Sequence, residues 1–249
     1  MTNYRYEDIF IRNRLLWGEE AQQRLRQSHV ALAGLGGVGS YVAEALARAG
    51  IGALTLVDHD RVELSNINRQ LPALLTNLGQ LKVDVVGERI IAINPECRLR
   101  LLAEFIGADN ADILGEADYF IDAIDHMLGK VAIITHARSI GKPVASSMGA
   151  GLRLAPECLR LADISQTKGC PLARELRKRL RTAGIESGVT VVFSEEQPRK
   201  NTLAEEPAEV GKKRPLGSYS CVPATAGLLL ASAVIRDLAE LYDRPRILG

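Results

Sequence analysis

Val30-Ala31-Leu32-Ala33-Gly34-Leu35-Gly36-Gly37-Val38-Gly39 is the stretch that sets the fold. Apolar residues run straight into a glycine-rich turn, and a helix-compatible segment, residues 40–49, follows at once. A strand feeding a helix through such a turn leaves backbone N–H groups facing outward at the helix start, an arrangement that binds phosphate. A second apolar strand ends at Asp58, about twenty residues further on, where a carboxylate can hold ribose hydroxyls. Glycine turns of this kind also serve dehydrogenases and methyltransferases, so Gly34, Gly36, Gly37 and Gly39 alone indicate a nucleotide site and not its chemistry.

The residues downstream narrow it. Asp58-His59-Asp60-Arg61-Val62-Glu63-Leu64-Ser65-Asn66-Ile67-Asn68-Arg69-Gln70 places carboxylates, amides and a guanidinium just past the tip of the second strand, where a triphosphate laid across the sheet edge would end. A dehydrogenase has no need of that cluster. Lys82 opens a helix over residues 82–93, whose Val83, Val86, Ile90 and Ile93 recur on one face before Asn94-Pro95 ends it. Further strands are expected at residues 98–103, 119–123 and 143–147, with a helix over 128–140 between the last two. Strands this apolar belong to a parallel sheet covered on both faces and joined by right-handed crossovers. Asp122 and Asp125 then stand at a strand's carboxyl end, where open sheets place ligands.

Beyond Gly149-Ala150-Gly151 the pattern changes. Residues 152–164 alternate as two antiparallel strands would, with Pro156 at their turn. Residues 172–182 read as a helix carrying Arg174, Arg177, Lys178, Arg179 and Arg181, and residues 189–193 as a short strand. Residues 194–218 are charged and proline-bearing, the composition of a long mobile loop before a final helix. The fold class is α/β: a Rossmann-like doubly wound, mainly parallel sheet with antiparallel strands added in the C-terminal half.

Bulk properties suit a soluble enzyme. The 249 residues are 47% hydrophobic and 24% charged, enough for a large core in a single domain spanning 1–249. The apolar run at residues 222–235 is shorter than a membrane span, so a cytoplasmic protein without an integral membrane segment is expected. A net charge of +1 gives no global signal for RNA, although a basic helix binds phosphates locally; a solvated face is the plain alternative. Cys97, Cys158, Cys170 and Cys221 form no C-x-x-C pair, which supports neither a zinc site nor a disulfide framework. Cys221 is either a reactive thiol or a small packing residue.

In this order and spacing the residues resemble the ThiF/HesA/MoeB superfamily, adenylating enzymes related to ubiquitin-activating proteins. The resemblance implies ATP and Mg2+ as cofactors. It implies Asp58 as the ribose ligand, Asn66 and Arg69 as triphosphate contacts, Lys82 as the phosphate-binding lysine and Asp125 as the carboxylate that organises magnesium, with Asp60 and Gln70 in the same nucleotide site. Arg69, Lys82 and Asp125 are the catalytic candidates. Arg14 resembles the arginine that relatives lend across a homodimer interface. Each residue also has a plain structural role open to it: a salt bridge for Arg69, a solvated helix start for Lys82, a cap for Asp125, and either metal support or backbone capping for Asp122.

The second half is similar to the tRNA threonylcarbamoyladenosine dehydratase family within that superfamily. The similarity rests on Gly149-Ala150-Gly151, Val191-Val192-Phe193-Ser194-Glu195 and Gly217-Ser218-Tyr219-Ser220-Cys221-Val222-Pro223-Ala224-Thr225-Ala226-Gly227, together with Ile121-Asp122-Ala123-Ile124-Asp125 and the missing zinc pairs. It implies a tRNA substrate and an ATP-dependent cyclising loss of water. The alternative within the superfamily is an adenylyltransferase whose partner is a ubiquitin-like sulfur-carrier protein.

Overall fold

The computed structural model describes residues 4–202 and 216–241. At its centre is a seven-stranded sheet of β1 (His29–Ala33), β2 (Ala53–Val57), β3 (Arg98–Leu102), β4 (Tyr119–Asp122), β5 (Val144–Ser147), β6 (Leu159–Asp163) and β7 (Thr190–Ser194), in the order β3-β2-β1-β4-β5-β7-β6. Neighbours run parallel except β6 and β7, which pair antiparallel. The chain winds from β1 out to β3, then crosses to β4 on the other side of β1. The resulting switch point between β1 and β4 opens a crevice beyond the strands' carboxyl ends. Register there aligns Ala33 with Asp122 and Asp122 with Ser146.

Helices α1 (Tyr6–Ile9), α2 (Ile11–Gln27), α3 (Gly39–Ala49), α4 (Lys82–Ile93), α5 (Met127–Ser139), α6 (Pro171–Thr182) and α7 (Cys221–Leu238) surround the sheet. One apolar layer joins Leu32, Leu54 and Leu56 of the sheet to Leu46 of α3, Ile90 of α4 and Leu230 of α7. The other joins Phe120, Val144 and Val191 to Ile133 of α5 and Leu176 and Leu180 of α6. Burial on both faces is why β1, β2, β4 and β7 are nearly continuous apolar runs, whereas the edge strand β3 carries exposed Arg98 and Arg100. Among the described residues α7 is the one helix long and apolar enough to cross a membrane, and it exceeds the run expected from sequence. Its Val222, Ala226, Leu230, Ala231 and Val234 pack into the first layer as a core helix. Gly227 permits that closeness, since a Cβ there would lie 2.5 Å from the Val38 carbonyl oxygen on the chain entering α3.

The segment expected as a strand pair is corrected in part. Only Leu159–Asp163 is a strand, its partner is β7, and Pro156 opens a 3-10 turn, Pro156–Cys158. Residues 152–155 form no ladder because their backbone groups are taken elsewhere: the Glu196 carboxylate accepts the N–H groups of Leu154 and Ala155, both at 2.9 Å, and Leu152 bonds to the backbone of Gly217 and Arg199. Arg153, buried, reciprocates by donating to the carbonyls of Gly149 at 2.9 Å and Glu196 at 2.7 Å. The long loop expected at 194–218 falls largely on residues 203–215, which lie outside the described residues.

Burial pushes the Cys97 thiol up to about 12, Cys170 is buried, and Cys221 is exposed. Iodoacetamide at neutral pH should therefore alkylate Cys221 while sparing Cys97 and Cys170 until the protein is unfolded, as read by peptide mass mapping. Equal labelling of all three in the folded protein would contradict this packing.

Candidate active site

The glycines after β1 divide by role. Gly34 has a φ of 89°, and a Cβ there would lie 2.8 Å from the Ala123 carbonyl group and 2.9 Å from the Ile124 nitrogen. A Cβ on Gly39 would overlap the Gly34 carbonyl oxygen. These two positions are glycine because backbone meets backbone. Gly36 is different: a Cβ there would meet nothing nearer than the Gln70 amide nitrogen at 3.8 Å, so the space above it is open to a ligand. The N–H groups of Gly36, Gly37 and Val38 have no acceptor among the described residues, the condition for taking phosphate oxygens at a helix start.

Asp58, buried at the end of β2, holds this turn: its carboxylate accepts the Leu35 N–H at 2.6 Å and the Asp60 N–H at 2.9 Å. Lys82 begins α4 with its side chain only 5% exposed, its ammonium 2.7 Å from Asp60. It is thus not a solvated helix start. Asn66 is buried and accepts the Glu63 N–H at 3.2 Å, which closes the 3-10 turn Leu64–Asn66. Arg69 lays its stem over Gly37 and donates to the Ser65 carbonyl at 2.7 Å and to Asn68 at 2.9 Å. It makes no salt bridge among the described residues, leaving donors of its fork for an anion. Gln70 is buried with its carbonyl oxygen unpartnered among the described residues, and its amide nitrogen is the atom nearest the open space over Gly36.

Across the switch point Asp122 and Asp125 part company. Asp122 is fully buried, 2.7 Å from the equally buried Lys130 ammonium, and accepts the Ser146 hydroxyl and the Ile124 N–H. It is closed to a metal. Asp125 is exposed and its side chain has no partner among the described residues; the N-cap of α5 is His126, which accepts the Gly129 N–H at 3.2 Å. Such a carboxylate suits Mg2+, which binds through one or two protein carboxylates together with phosphates. Asp58, His59 and Asp60 bring ligand atoms within 4.8 Å of one another, but Asp58 is spent on N–H groups and Asp60 on Lys82. Arg14, on α2, pairs with Glu19 at 2.5 Å and donates to the Glu7 carbonyl at 3.4 Å, neither of them in the glycine turn of its own chain.

Several residues around this site escaped sequence reading. Lys130 and Ser146 reach Asp122 from another element, and Pro223 at the head of α7 lies against Gly37, 3.2 Å from where its Cβ would be. Asn68 donates to the Ser218 carbonyl at 2.9 Å. Phe105, 47% exposed, has its ring 5.0 Å from those of both His59 and His126. The basic helix is also less uniform than its sequence. Arg177 turns inward to the Thr167 carbonyl and hydroxyl and Arg179 pairs with Glu175, which leaves Arg174, Lys178 and Arg181 as an exposed stripe at i, i+4 and i+7.

Fold and site together define a class, the α/β nucleotide-binding proteins with a glycine turn at the sheet's switch point. Within that class the chain belongs to the ThiF family, whose model matches residues 10–246. A tRNA threonylcarbamoyladenosine dehydratase of Bacillus subtilis is 40% identical over 247 residues, covering 96% of this chain and 97% of the relative. The crystal structure of the Escherichia coli tRNA N6-threonylcarbamoyladenosine dehydratase in complex with ATP superposes with a TM-score of 0.83 at 36% identity, over 94% of this chain and 95% of that one. A sulfur carrier protein adenylyltransferase of Thermus thermophilus is 34% identical, but over 128 residues only, 51% of this chain and 47% of the relative.

The glycines supply a test. Gly39→Ala should cost roughly 3 kcal/mol or more, because overlap with a backbone carbonyl has no side chain to relax. Gly36→Ala should melt within a few degrees of the parent and bind ATP at least tenfold more weakly by calorimetry. The opposite ranking would move the phosphate site elsewhere.

Proposed function

We propose that this protein is an ATP-dependent enzyme that activates the carboxylate of threonylcarbamoyladenosine in tRNA and closes it into a ring with net loss of water. The observation that carries this reading is likeness to the dehydratases along nearly the whole chain, β6, α6, β7 and α7 included, whereas the carrier-protein adenylyltransferase matches only about half of it. We further propose that the chain works as one ATP-binding domain, in the cytoplasm and as a homodimer.

The chemistry needs little more than positioning and charge. A substrate carboxylate oxygen attacks the α-phosphorus and pyrophosphate leaves; ring closure then displaces AMP, which carries off that oxygen and so accounts for the water lost. Bringing an anion to a triphosphate is repulsive, and fixed donors in a partly dry crevice offset that repulsion. In this reading the N–H groups of Gly36, Gly37 and Val38 and the guanidinium of Arg69 hold the phosphates, and Asp58 keeps the ribose beside the turn it already fixes. The half-exposed ring of Phe105 offers adenine a flat neighbour. Lys82 trades its contact with Asp60 for a phosphate oxygen. Asp125 would hold Mg2+, which supplies charge neutralisation on the phosphates when bound. Arg14 would act from the neighbouring subunit, since its own chain does not bring it to the turn. Arg174, Lys178 and Arg181 would meet the tRNA backbone.

The decisive experiment incubates the protein with ATP, magnesium and threonylcarbamoylated tRNA and weighs the digested nucleosides for loss of one water. ATP cleavage that responds to a small carrier protein and not to tRNA would give the function to the alternative. Arg69→Ala should lower turnover roughly 100-fold with little change in melting temperature. Because the Lys82 side chain is buried, Lys82→Met is its fair counterpart. Mixing Arg14→Ala with Lys82→Met should restore part of the activity through hybrid dimers; a monomer would show none.

Salt dependence tests the stripe. Replacing Arg174, Lys178 and Arg181 by Gln should reduce the slope of log affinity for tRNA against log salt by about 2–3. ATP affinity should stay within twofold of the parent. An unchanged slope would make the stripe a solvated face.

A further inference from the structure

Asp122, Lys130 and Ser146 form a buried polar cluster directly beneath the switch point. Asp122 is the last residue of β4, hydrogen-bonded in register between Ala33 of β1 and Ser146 of β5. One carboxylate oxygen receives the Lys130 ammonium at 2.7 Å and the Ser146 hydroxyl, and the other accepts the Ile124 N–H at 3.2 Å. Both ions are 0% exposed. Removing two ions from water offsets most of their attraction, and apolar side chains of like volume would join strand to helix at least as firmly. What the cluster does that apolar side chains would not is fix a backbone segment. Ile124 is held from Asp122, and the next residue but one, His126, is held to Gly129. Gly129 in turn packs so tightly that a Cβ would lie 2.5 Å from the Ile106 carbonyl oxygen. Between these anchors the Ala123–Ile124 backbone bears on Gly34, and Asp125, with no partner of its own among the described residues, takes its place from that backbone alone.

We propose that Lys130, with Ser146, is a positioning residue: through Asp122 it sets the Ala123–Asp125 backbone, and thereby both the seat of the glycine turn and the location of Asp125. This rests on the reading of Asp125 as the magnesium carboxylate. It separates the cluster's purpose from stability, so the two are measured apart.

The variant to make is Asp122→Asn with Lys130→Met, which leaves no unpaired buried charge. In the ligand-free protein, amide exchange over residues 123–126 should accelerate at least tenfold while β2 and α3 exchange as in the parent. Turnover at saturating ATP should fall roughly 10- to 100-fold, and half-maximal activity should require more magnesium. Lys130→Met alone, which strands the Asp122 charge, should melt below the double variant. If the double variant does not fold, Ser146→Ala takes its place, removing one donor and keeping both ions, with a severalfold change in the same readouts. Parental exchange at 123–126 together with parental turnover, in whichever of these variants folds, overturns the proposal. Parental turnover in Asp125→Asn would instead refute the magnesium reading, and the exchange measurement would still judge the anchor.

Discussion

The site depends on one contact without side chains: Gly34, just past β1, lies directly on the Ala123–Ile124 backbone that leaves β4. Two parallel strands diverge here, and a Rossmann-type sheet ordinarily lets their loops separate to admit ligand. In this chain the loops touch before they diverge, so the glycine turn and the segment bearing Asp125 share a floor. Neither can shift by more than a fraction of an ångström alone, because packed backbone has no rotamers with which to yield. The glycines at 34 and 39 are the steric condition for that contact, and Asp58, gripping the Leu35 N–H, closes it from the β2 side.

Around this floor the charged groups are held in readiness by weaker partners. Lys82 rests on Asp60, and Arg69 on a carbonyl and an amide. In the proposed reading an arriving triphosphate would offer each a better acceptor, at little cost because the stems are already packed. Ligand-free order of this kind means that binding energy need not be spent on gathering the cations. The same logic distinguishes Asp125 from Asp122: one carboxylate is left open to bind, the other is consumed in holding the frame.

The parallel half was legible because its signals are local. Apolar runs, a glycine turn, an acid at the next strand end and a lysine at a helix start lie close together in sequence, and each follows from the backbone geometry of its own element. What could not be read was set by partners on other elements. Residues 152–155 alternate like a strand, yet Glu196 takes the N–H groups of Leu154 and Ala155 and the Gly217 carbonyl takes that of Leu152, so the ladder starts only at Leu159. Arg177 looks like its basic neighbours on α6, but its orientation toward Thr167 decides that it staples a turn. The resemblance singles out Asp125, but the sequence leaves Asp122 between metal support and backbone capping, and only Lys130 and Ser146, brought up by α5 and β5, decide its role.

The wall over the glycine turn is made by the end of the chain. Ser218 accepts a hydrogen bond from Asn68, 150 residues earlier, and Pro223 lies against Gly37. A ribosome producing this protein therefore releases the complete β1–α3 phosphate turn long before the segment that covers it exists. Until α7 leaves the exit tunnel, the apolar face of α3 that it packs against stands open to water.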